Sequence, residues 1–79
     1  MQEFKVFIEI MNKKILTIRE EEVFSLLVKN KTTKEIGEAL NISEKTVRNH
    51  ISNVIQKLGV KGRSQAILEL IKIGELSID

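Results

Sequence analysis

The 79-residue chain carries 13 basic and 11 acidic side chains for a formal net charge of +2, and it contains no cysteine and no proline. A thin single core without disulfide or thiolate-metal reinforcement follows, and the one histidine, His50, has no cysteine beside it with which to hold zinc. No apolar run approaches the roughly 20 residues of a membrane span, and the acid-containing N-terminal segment lacks a leader's cleavage motif, so the cytoplasm is the expected location.

Residues 1–14 read two ways. Phe4, Phe7, Ile8 and Met11 recur at helical spacing, while Phe4, Val6, Ile8 and Ile10 alternate as a strand would. A helical N-terminal extension that packs on the domain or on a partner subunit is the preferred reading. From residue 15 onward the signals are consistent. Thr17 and Glu20 form an S/T-x-x-E capping box that opens a helix over about 18–28, with Val23, Phe24 and Leu27 on its inner side. Thr32 and Glu35 repeat the box for a second helix running to Leu40, with Ile36 and Leu40 inward. Asn41 follows where a residue tolerant of positive φ stops a helix. Ser43 then caps a third helix over 44–58, and Ile42 with Val47 makes the hydrophobic staple that fixes its entry angle. Gly59 ends it. A last helix over about 64–73 has Ala66, Ile67, Leu70 and Ile73 inward and is stopped by Gly74. The fold class is all-α: a compact four-helix domain over residues 15–79 behind an extension of residues 1–14, with short connections and no internal repeat.

The third helix carries the chemistry. At about 100° per residue, Val47, Ile51, Val54, Ile55 and Leu58 gather on one side. Lys45, Asn49, Ser52, Asn53 and Gln56 lie opposite, flanked by Thr46 and Arg48. Residues 43–63 hold five cations against Glu44 alone, and the eighteen residues from Lys45 to Gly62 have no acid. A merely solvated face would intersperse acids; this one is the footprint of a phosphate-binding surface. Lysine and arginine suit phosphate and guanine, and asparagine or glutamine suits adenine. A short capped helix before a longer polar one is the arrangement of a helix-turn-helix whose second helix enters the major groove of double-stranded DNA.

The segment TTKEIGEALNISEKTVRNHISNVIQKLGVKGRSQA resembles the LuxR/GerE family of bacterial transcription regulators over about residues 15–79, most specifically in IS-x-x-TV-x-x-H-x-x-x-x-x-x-KLGV. The resemblance implies a homodimer that reads two half-sites and acts directly with RNA polymerase. Its stand-alone members that control spore coats are similar throughout, which implies control of late sporulation genes. By position, Arg48, Asn49 and Ser52 are implied to face base edges, and Thr33, Lys45, Thr46 and Lys57 to face phosphates. Gly37 departs from the alanine common in the family, at a place where helices close together need a small side chain.

Leu68 stands roughly opposite the inner stripe of the last helix and Ile71 at its margin, so these two are the candidate dimer interface. Glu20, Glu21 and Glu38 are candidates for an exposed acidic surface toward polymerase. With Met1 as the true start, about fourteen residues precede the first helix, leaving no room for a receiver or ligand-binding input domain. Regulation is then expected through the amount of protein. No cofactor, metal or small-molecule ligand is expected. An enzyme is disfavoured, because no nucleophile–base–acid set and no glycine-rich phosphate loop are present. The remaining rival is a protein-interaction module of sigma or anti-sigma type that uses the same helix pair. RNA recognition lacks its stacking platform, since Phe4, Phe7 and Phe24 are the only aromatics.

Overall fold

The computed structural model describes residues 14–78 and places in them four helices and no strand: α1 Ile18–Leu27, α2 Thr33–Leu40, α3 Glu44–Leu58 and α4 Arg63–Lys72. The readings of residues 1–13 lie outside the described residues. Both capping boxes form. Thr17 Oγ1 accepts from Glu20 N at 3.1 Å while Glu20 Oε1 accepts from Thr17 N at 3.0 Å. Thr32 and Glu35 repeat the exchange at 3.1 and 2.9 Å. Each box satisfies two of the amide groups a helix start leaves open. Ser43 Oγ caps α3 by accepting from Thr46 N at 3.0 Å.

The four helices also end alike. Asn30, Asn41, Gly59 and Gly74 adopt left-handed φ values of 68°, 58°, 67° and 82°. In each case the amide of the following residue folds back onto a carbonyl five residues earlier: Lys31 to Leu26, Ile42 to Gly37, Val60 to Ile55 and Glu75 to Leu70. This is the Schellman closure, and only glycine or asparagine enters it at low cost.

The core comprises Leu16, Val23, Phe24, Ile36, Val47, Ile51, Val54, Ala66, Leu70 and Leu76. α3 is its spine and packs against each of the other helices. Two expectations need correction, and one packing feature was not anticipated. Ile73 is 43% exposed, because the chain has already left α4 at Lys72 and turns at Gly74. α4 starts at Arg63, a residue early, with Gly62 at its cap and no side-chain cap bond. Leu16 and Leu76, outside every periodic segment, are both buried. A clasp brings them in: Glu75 accepts from Ile15 N at 2.7 Å and from Leu16 N at 3.1 Å.

Candidate nucleic-acid interface

The turn between α2 and α3 is three residues long and folds closely back onto α2. A Cβ built on Gly37 would come within 2.7 Å of Ile42 O, so even an alanine would make the turn shift. Glycine costs up to about 1 kcal/mol in a helix interior; here it admits the next loop against α2. With α2 seated in this way, Val47, Ile51 and Val54 of α3 are buried and its other edge faces outward. Lys45, Arg48, Asn49, Ser52, Asn53 and Gln56 are all exposed on α3.

Each sequence-predicted residue can now be placed. Asn49 and Ser52 lie in the open on the outer face. Arg48 Nη1 donates to Glu44 Oε2 at 3.1 Å, and Thr33 Oγ1 donates to the same oxygen at 2.8 Å, so the starts of α2 and α3 meet through one carboxylate. Thr46 Oγ1 is 2.9 Å from Ser43 Oγ, within the cap. Lys45 is exposed. Lys57 sits apart from the outer group. Its ammonium reaches across to Glu20 Oε1 at 2.5 Å and to Ile15 O at 3.3 Å. Leu68 is 68% exposed, whereas Ile71 is partly buried against its own core.

The acids differ from expectation. Glu20 is not a surface group: it is 3% exposed, bound by its own capping box and by Lys57. Burial pushes its carboxyl up, but the hydrogen bonds from Lys57 and Thr17 and the lysine charge outweigh that and hold it below the ordinary carboxylate value. Glu21 is half-buried and takes the Lys14 ammonium at 2.6 Å, while Glu38 is exposed.

The structure adds two residues to the candidates. Lys34 lines a shallow hollow with Glu38, Asn41, Ser43 and Glu44 at the mouth of the helix pair. The signal was available, since a lysine in the first turn opposes the helix dipole and so calls for another reason to be there. Glu44 was noted only as the lone acid; its i,i+4 spacing to Arg48 on the same helix was there to be read, whereas Thr33, on α2, could not be found from spacing. Among the described residues no group of three His, Cys, Asp or Glu side chains could hold a metal ion. No helix of the described residues is long and apolar enough to cross a membrane.

A capped helix pair with a tight turn and an outward basic second helix defines a helix-turn-helix domain. The family model described as bacterial regulatory proteins of the luxR family matches residues 14–70, and the chain belongs to that family. The spore germination protein GerE of Bacillus subtilis (strain 168) is 67% identical over 70 residues, covering 89% of this chain and 95% of that protein. The transcriptional regulatory protein DegU of Brevibacillus brevis is 52% identical over 64 residues; the match spans 81% of this chain but 27% of DegU. The solved structure of the transcription factor GerE superposes with a TM-score of 0.83 at 67% identity, covering 85% of this chain and all of that one. The chain is thus a DNA-binding transcription regulator and not an enzyme.

Proposed function

We propose that the protein is a sequence-specific regulator that binds double-stranded DNA as a homodimer and places α3 in the major groove. One observation carries the reading: α3 exposes six donor-bearing side chains along one edge, and its single acid is already matched by Arg48. Arg48, Asn49 and Ser52 are the proposed base readers. Thr33, Lys45 and Thr46, joined by Lys34, are the proposed phosphate contacts. Lys57 is assigned to bracing α3 against α1. Residues 15–79 form the proposed DNA-binding unit and residues 1–14 an extension of it.

Leu68, with Ile71 at its border, is the proposed two-fold contact; a dimer of this type sets the spacing of two half-sites. The likeness to a spore germination protein supports a role in sporulation, with late spore-coat genes as targets, exercised in the cytoplasm with RNA polymerase. Selection from random duplex DNA at stated salt tests the whole reading. The expected product is a two-part symmetric site whose affinity falls by several orders of magnitude between low and moderate salt, as release of about six phosphate counterions requires. Failure to enrich any sequence, with binding insensitive to salt, would instead favour a protein-interaction module.

A further inference from the structure

Glu44 is the one acidic side chain on α3, and it stands among the groups proposed to meet DNA. A carboxylate at the first position of a helix is ordinarily explained by the macrodipole, which favours negative charge there. Its contacts go further. One oxygen, Oε2, accepts from Thr33 of α2 and from Arg48 one turn along α3. The Arg48 and Glu44 side chains remain 54% and 44% exposed, so water screens the pair and its contribution to stability is small. What it controls is where Arg48 is held, and what must be displaced before a phosphate can engage it.

We infer that Glu44 is a specificity-determining residue, an internal competitor that withholds Arg48 from arbitrary phosphates and fixes its guanidinium at the α2–α3 mouth for one base edge. The inference rests on α3 being the reading helix. An arginine free of Glu44 gains a phosphate on any sequence, and removing the carboxylate also removes its repulsion of the DNA backbone. Both changes raise affinity for every duplex alike. Bidentate recognition of a base, in contrast, needs the guanidinium held in one orientation. Discrimination is a difference between affinities, so a rise common to every duplex cancels, and only the loss of the fixed orientation lowers it.

The test uses the full chain and its Glu44→Gln variant, which keeps the size and an acceptor for Thr33. Fluorescence anisotropy compares a selected site with a scrambled duplex of equal length across a salt series. For Glu44→Gln, affinity for the scrambled duplex should rise about tenfold at low salt with a slope steeper by about 0.9, the signature of one added phosphate contact. The selected site receives the same increment but loses about as much with its oriented base contact, so its affinity stays near the wild-type value and the ratio of the two affinities drops by roughly tenfold. In an Arg48→Ala background the same substitution should leave the ratio where Arg48→Ala alone puts it. Glu44→Asp, which keeps the charge but withdraws it by one methylene, should fall between wild type and Glu44→Gln, and thermal melts verify that each variant is folded.

An unchanged ratio in Glu44→Gln, or an equal drop in the Arg48→Ala background, overturns the inference while leaving DNA reading by α3 intact. A wild-type protein that prefers no duplex overturns both.

Discussion

Lys57 and Glu20 meet at 2.5 Å, joining the last turn of α3 to the first turn of α1. The glutamate is 4% exposed in its side chain and the lysine 36%, so the pair straddles the edge of the core. The lysine also donates to Ile15 O, which leaves its ammonium turned toward the protein. The side chain expected at a phosphate is thus engaged within the protein, where it ties the end of α3 to the start of α1.

Removing that lysine should cost stability more than DNA contacts. Breaking a fully buried pair costs about 3–5 kcal/mol; with one partner a third exposed, we expect roughly 1–2 kcal/mol for Lys57→Met, after discounting for solvent screening. Urea unfolding measures it. The salt slope of DNA binding should stay at the wild-type value, whereas Lys45→Ala should lower it by about 0.9.

The same pair sets an acid limit. Glu20 has its folded-state pKa lowered, so the stability it contributes is present above its unfolded value of about 4.5 and is lost as pH falls through the folded one. Glu35, held by the Thr32 amide in the second capping box, shifts in the same direction. Thermal melts should therefore show a midpoint that declines below about pH 4.5. In Glu20→Gln the decline should be shallower, from a lower plateau at neutral pH.

At Gly37 two effects oppose. An alanine would gain up to about 1 kcal/mol of helix propensity, yet its Cβ would force Ile42 O back from 2.7 Å. We expect Gly37→Ala to lose up to about 2 kcal/mol net, because the atom it meets is backbone, and Gly37→Val to lose about 2–3 kcal/mol or more by overpacking. Denaturant midpoints for the two variants decide the order.

Substitutions at Arg48 and Lys45 test the proposed division between reading and holding. Arg48→Ala should cost about 1–3 kcal/mol on the selected site and relax preference at one base position. Lys45→Ala should weaken selected and scrambled duplexes alike. Equal losses on both duplexes for Arg48→Ala would remove Arg48 from the reading set.

The proposed two-fold contact is best probed at Leu68, which is exposed and leaves the core untouched when changed. Leu68→Glu should sediment as a monomer, bind a two-part site far more weakly and melt as wild type does. Ile71→Glu mixes this effect with damage to the core that Ile71 borders. A Leu68→Glu protein that is still dimeric moves the interface elsewhere.

Most of the fold was legible because the chain marks its helices at both ends. Two threonine–glutamate boxes and one serine cap open three of them, and the asparagine or glycine stops close all four. Residue spacing also separated the buried edge of α3 from the open one. What escaped depends on contacts between distant segments. Glu20 reads as a helix-start acid, and nothing local reveals that a lysine 37 positions later will cover it. Leu16 and Leu76 have no periodic neighbours to announce their burial. The joint hold of Glu44 on Thr33 and Arg48 arises only once α2 and α3 are docked.

The Glu75 clasp makes the domain a closed circuit. Because this one carboxylate receives the amides of Ile15 and Leu16 from sixty and fifty-nine residues away, trimming the tail after Gly74 would strip the acceptor from the segment that leads into α1. Leu16 would loosen, the carbonyl of Ile15 would drift from Lys57, and an injury after α4 would register as a wobble in α3.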